Sequence, residues 1–298
     1  MSAGGIPQIF DRGLARARLS RAVAQGFEPF LLQRAVADAL ERLSTVKRDF
    51  AHALDLGTPT AALADALSAQ GRLQRTTRAA PALLRGRETL VASEEALPFA
   101  PGVFDLALSL LSLQGANDLP GALTQIRLSL KPDGLFLAAL LGRETLTELR
   151  QCLIAAESEI AGGASPRVAP FADVRDMGGL LQRAGFALPV TDVERIIVRY
   201  GDMFSLLRDL RRMGLTNALV ERSRKPLTRA ALFRAAAIYA GRFADGDGRL
   251  RATFDLVWLS GWAPHDSQQK PLRPGSAKSR LADALGTPEL STGEKAGS

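Results

Sequence analysis

The sequence predicts an α/β fold whose mostly parallel sheet is covered by helices on both faces. Three observations point there. Short, almost wholly apolar runs such as Val103–Ser109 (VFDLALS) and Leu135–Leu141 (LFLAALL) read as strands buried on both sides. Segments with helical spacing alternate with them. The chain has 298 residues, 46% of them hydrophobic, enough for one large core, and it contains no sequence repeat.

Residues 8–50 read as helical, with Phe30, Leu31 and Leu32 followed by Ala35, Leu40 and Leu43. The period then changes, and Ala51–Gly57 (AHALDLG) reads as a buried strand ending in a turn. A helix over Ala61–Ala69, a weak strand at Leu73–Thr76 and buried strands at Glu88–Ala92 and Val103–Ser109 follow. Leu119, Leu123, Ile126 and Leu130 share one helical face, and Lys131-Pro132-Asp133-Gly134 reads as a turn before Leu135–Leu141. Further helices are expected at Glu144–Ile160 and Asp173–Ala184, with Gly185 as the stop. Residues 187–199 are strand-like, 202–241 mainly helical, and Arg251–Trp262 a late strand. The expected organisation is a helical N-terminal extension over 1–50, an α/β domain over 51–271 with a helical insertion at about 202–241, and a disordered tail over 272–298, rich in Pro, Gly, Ser and Lys.

Composition excludes several classes. No apolar run reaches the about 20 residues a membrane helix needs, so no span is expected. The opening MSAGGIPQIFDR lacks the apolar centre of a secretory signal, and too little chain precedes the first helix for a transit peptide. One cysteine, Cys152, rules out an internal disulfide and a cysteine-based zinc site, and two histidines, His52 and His265, argue against a histidine-rich metal centre. A reducing, cytoplasmic compartment fits this usage, and the excess of arginine and alanine fits GC-rich bacterial codons. The net charge of +7 favours acidic surfaces, but no aromatic-rich basic segment marks a specific nucleic-acid groove.

The motifs are more specific. Ser93-Glu94-Glu95-Ala96-Leu97-Pro98-Phe99, then Phe104-Asp105-Leu106, then Leu130-Lys131-Pro132-Asp133-Gly134 together resemble class I S-adenosylmethionine (SAM) methyltransferases. Ile9-Phe10-Asp11-Arg12, Asn117-Asp118-Leu119-Pro120, Gly142-Arg143-Glu144-Thr145-Leu146, Glu148-Leu149-Arg150, Arg183-Ala184-Gly185-Phe186 and Gly261-Trp262 narrow the resemblance to methyltransferase-like proteins related to mitochondrial complex I assembly factor five. The malonyl-carrier methyltransferase of biotin synthesis is a more distant relative. The resemblance spans roughly residues 8–276. It implies a seven-stranded, Rossmann-like sheet whose last strand is antiparallel, with extra N-terminal and C-terminal helices. A SAM pocket is implied at the carboxyl ends of the first strands, with Asp55, Gly57, Thr58, Ser93, Glu94 and Ser109 as cofactor contacts and Gln114 and Arg143 as substrate contacts. A protein substrate or complex I subunit is the implied partner.

The cofactor loop departs from the family pattern. In Asp55-Leu56-Gly57-Thr58-Pro59-Thr60-Ala61, Pro59 and Ala61 replace the second and third glycines. Proline brings a ring and removes an N–H where backbone would approach the ligand. As a helix start the segment is good, with Thr58 as N-cap and Pro59 at N1. No acidic residue lies between Asp65 and Glu88 to hold ribose hydroxyls; Arg72, Arg75, Arg78, Arg85 and Arg87 populate the stretch instead. Ser93 stands in place of an adenine-side aspartate, beside Glu94. After the fourth strand, Leu113-Gln114-Gly115 replaces a Leu-His-aromatic run, and an amide cannot serve as a general base. Asn117 and Asp118 read as an N-cap, Asp105 as structural, Cys152 as packing and His265 as a loop contact. Arg143 and Arg150 either hold an acidic partner or pair with Glu144 and Glu148 along the helix. Two functions lead: a SAM-dependent enzyme acting on a protein, or a catalytically inactive pseudo-methyltransferase that serves as assembly factor or scaffold; a small-molecule methyltransferase is the weaker third, since nothing defines a small-molecule pocket. No catalytic residue is assigned, and oligomeric state is not legible.

Overall fold

The computed structural model describes residues 7–71, 73–82 and 89–269. Two helices, α1 (Arg12–Ala24) and α2 (Phe30–Thr45), precede β1 (Phe50–Leu56), α3 (Ala62–Ala69), β2 (Leu73–Ala80), β3 (Thr89–Val91) and β4 (Phe104–Leu110). Then come α4 (Leu119–Ser129), β5 (Leu130–Leu141), α5 (Thr147–Ala161), α6 (Val174–Arg183), β6 (Ala187–Tyr200), α7 (Met203–Arg212), α8 (Arg229–Phe243) and β7 (Leu250–Trp262). All these elements lie within one compact unit, Met1–Pro264; residues 265–269 belong to a second unit, in which the His265 ring bonds Ser267 at 2.7 Å.

The strands form one seven-stranded sheet in the order β3-β2-β1-β4-β5-β7-β6. The first five are parallel, and β7 runs antiparallel between β5 and β6. Strand order reverses direction between β1 and β4, which opens a crevice at their carboxyl ends, where open sheets of this kind take ligands. The apolar character of the central strands follows from burial on both faces. Leu106, Leu108, Leu137 and Phe254 pack toward α2 and α5, while Leu54, Ala107, Phe136 and Val257 pack with Leu123 and Leu181 on the other side.

The expected element order holds, with local corrections. Of the expected Glu88–Ala92 strand, Thr89–Val91 is strand among the described residues and lies at an edge, leaving Leu90 and Val91 exposed rather than buried. The weak strand at Leu73–Thr76 runs on to Ala80. Lys131-Pro132-Asp133-Gly134 lies inside β5 rather than before it, as an irregularity in which Asp133 takes φ 63°. The helical stretch 202–241 is two helices, with residues 213–228 non-helical between them. The tail 272–298 and the arginines Arg72, Arg85 and Arg87 lie outside the described residues.

Candidate functional site

Parallel pairing sets Asp55 of β1 directly beside Arg78 of β2. The Arg78 Nε donates to the Asp55 carboxylate at 3.0 Å, and both side chains are removed from water. The same guanidinium donates to the Thr89 hydroxyl at 3.1 Å and to the carbonyls of Thr58 at 3.1 Å and Thr60 at 2.7 Å. A buried guanidinium is tolerable only when its donors are satisfied in this way. Burial pushes the Asp55 carboxyl up to about 6, although Thr58 and Arg78 both favour its ionised form. Arg78 therefore ties the loop after β1 to β2. This also corrects the expected cap: α3 begins at Ala62, with Ala61 before it, because the Thr58 and Thr60 carbonyls are drawn onto Arg78 and away from a helical start.

Gly57 closes β1 with φ 76° and donates its N–H to the Ala79 carbonyl at 2.7 Å. Side chains crowd the position a Cβ would take. A methyl group added there would come within 2.6 Å of the Ser112 Cβ and 2.8 Å of a Glu94 carboxylate oxygen. Glu94, itself only 2% exposed, accepts from the Ser112 hydroxyl and forms an ion pair with Arg12 of α1. Arg12 also donates to the Gly115 carbonyl at 3.0 Å. A second clamp fixes the segment before α1: the Asn117 side-chain oxygen accepts from the backbone of Ile9 at 2.8 Å and Phe10 at 2.7 Å. Asn117 is thus an anchor, and only Asp118 caps α4, accepting from Gly121 at 2.8 Å.

These contacts close one end of a cavity of about 550 Å³ at the carboxyl ends of the strands. Its wall is largely apolar, with Leu31, Leu111, Leu149, Leu153, Leu210 and Phe254 among its lining. Of the expected contacts, Gly57, Ser93, Glu94 and Gln114 line it. Gln114 donates to the Leu111 carbonyl at 2.7 Å and leaves its buried oxygen without a partner.

The other expected contacts lie elsewhere. Asp55 and Thr58 are buried beneath the loop with Arg78. Ser109 is buried within β4, paired in register with Ala138. Arg143 lies on the surface, 3.2 Å from Asp173 and 3.8 Å from Glu144, while Arg150 donates to the Thr145 carbonyl at 3.1 Å. Glu148 bonds the backbone N–H of Thr253 at 3.1 Å instead of Arg150. Asp105 is structural, accepting from the His52 N–H at 3.0 Å and Lys131 at 3.1 Å. Cys152 is fully buried in α5. Sequence reasoning did not single out Arg12, Ser112 or the pairing role of Arg78. For Arg12 a signal existed, since it belongs to Ile9-Phe10-Asp11-Arg12. For Arg78 the signal was a lone charge in the apolar end of β2.

Residues 31–189 match the model of the family described as the methyltransferase domain. The chain belongs to this methyltransferase-domain family. It is 39% identical to the arginine-hydroxylase NDUFAF5, mitochondrial, of Danio rerio, covering 92% of this chain and 89% of that protein. The Homo sapiens protein of the same name is 40% identical over 90% of this chain and 81% of its own length. The malonyl-[acyl-carrier protein] O-methyltransferase of Laribacter hongkongensis is 35% identical, covering 89% and 94%. Among solved structures, the YcgJ protein of Bacillus subtilis superimposes with a TM-score of 0.51 at 12% identity, covering 78% of this chain and 99% of that one, a likeness of fold. Within this methyltransferase fold, the residues present do not suit SAM. At Gly57 the position a Cβ would take is crowded by Ser112 and Glu94, and Asp55 is sealed against Arg78. The end of β2 offers Ala79 and Ala80 where a ribose would need a carboxylate.

Proposed function

We propose that this protein acts on a protein partner in the assembly of respiratory complex I, as a methyltransferase-fold factor that has given up methyl transfer from SAM. The observation that carries this reading is the buried pair between Arg78 and Asp55, which spends the acidic residue of the first strand on an internal guanidinium. The likeness to NDUFAF5 over most of the chain supports the choice of partner. We infer a cytoplasmic location from the lone cysteine and the composition. No helix among the described residues is long and apolar enough to cross a membrane. The test is calorimetric titration with SAM and S-adenosylhomocysteine, together with tagged purification from the native host. No heat at millimolar ligand and recovery of complex I subunits is the expected result; micromolar SAM binding overturns it.

A second reading, modification of an arginine on that partner, is favoured by one contact. Glu94, Ser93 and the Gly115 carbonyl already hold a guanidinium, that of Arg12, at the cavity wall. The relatives named as arginine-hydroxylases give this reading its chemistry. Mass spectrometry of copurified subunits, with and without this gene, reads an added oxygen on arginine, an insertion that consumes dioxygen and a two-electron donor. An unmodified partner leaves the scaffold reading alone.

A further inference from the structure

Beyond the protein partner, the cavity has a chemistry of its own. Its apolar wall is bordered by cationic side chains on α1 and α7. Arg16 and Arg211 line the cavity, are exposed, and make no ion pair among the described residues. A smaller cavity of about 240 Å³ adjoins it, lined by Arg18, Arg21, Gln25 and again Arg211 and Thr216. Arg211 and Thr216 therefore line both spaces, which sets a cationic cavity beside an apolar one. Arg18 is half-buried there. Burial, then the charges of Arg222 and Arg21, lower its pKa, while Asp11 acts in the opposite sense. Three of the nearby acids are engaged elsewhere: Glu94 with Arg12, Glu28 with Arg212, and Asp11 with Arg222. Uncompensated arginines around an apolar chamber suit an anion attached to something apolar.

We propose that this pair of cavities binds a single-chain amphiphile with an anionic head, the acyl chain in the large chamber and its carboxylate or phosphate on Arg211, Arg16 and Arg21. The proposal rests on the reading that SAM does not take this space. The probes are palmitic acid, lysophosphatidic acid and, as the uncharged control, hexadecanol, titrated against the full chain by displacement of a fluorescent fatty acid. At least one anionic probe should bind at least tenfold more tightly than the alcohol. Binding by the phosphate alone assigns the head to a phospholipid source; binding by the carboxylate alone assigns it to free fatty acid. Arg16→Gln with Arg211→Gln, both exposed positions, should abolish the preference for the charged head with thermal stability unchanged. Ala15→Trp, which fills the chamber, should weaken all probes tenfold or more. Equal binding of acid and alcohol overturns the anionic head site. No binding of any probe, with SAM also silent, overturns the amphiphile and leaves the proposed function standing. SAM binding that displaces the fluorescent probe overturns both.

Discussion

The guanidinium of Arg78 lies 3.0 Å from the carboxylate of Asp55, across the parallel pairing of β2 and β1 and out of reach of water. Removing one member of such a pair strands the other without its counter-charge. Arg78→Met should therefore destabilise the protein by about 3–5 kcal/mol in urea denaturation. Asp55→Asn with Arg78→Met should recover at least about 1 kcal/mol of that, because contacting residues are not additive. Equal losses in the single and double variants would dissolve the coupling.

The same carboxyl gives a pH signature. Its folded pKa is raised from 3.8 to about 6 by burial, so the folded state holds the proton more tightly than the unfolded chain. That contribution is full below the unfolded pKa and is lost as pH rises through the folded one. Between pH 4 and pH 7 the native protein should lose on the order of 2–3 kcal/mol relative to Asp55→Asn, whose amide does not titrate. Parallel stability curves for the two proteins would contradict the assignment.

Gly57 is required twice over, by its φ of 76° and by the Ser112 and Glu94 atoms above it. Gly57→Ala should cost about 1–2 kcal/mol in backbone strain and about 1–3 kcal/mol in crowding. Adding Ser112→Gly should return part of the crowding term and none of the strain, as read by thermal melting of the three proteins.

Arg12 holds α1 against the strand ends through Glu94. Arg12→Met should speed amide hydrogen exchange through α1 while the central strands keep their protection. Uniform acceleration across the sheet would mean that the pair supports the whole fold rather than one helix.

The succession of elements along the chain and the buried central strands were legible because period and burial agree there, as in VFDLALS and LFLAALL. β2 was read short because Arg75 and Arg78 break its apolar pattern, and a lone sequence does not show that Arg78 turns inward. Its partner Asp55 lies 23 residues away, beyond any helical or turn spacing. Of the expected contacts, half border the cavity. Gly57, Ser93, Glu94 and Gln114 follow directly from strand ends, whereas Arg143 lies on the surface with Asp173 because the turn into α5 carries it out of the crevice. Arg12 enters the site from an N-terminal helix, a tertiary event with no local code.

The placement of β7 between β5 and β6 has a consequence for biosynthesis. β6 is joined to the sheet through β7 alone, over a register running from Ala187 to Tyr200. While the ribosome is still making residues 201–249, β6 has no partner strand and the outer flank of β5 is bare. Both wait for the chain to reach Trp262. A nascent chain stalled before Leu250 thus presents two open strand flanks at once, and its safe passage depends on how fast translation covers that last stretch.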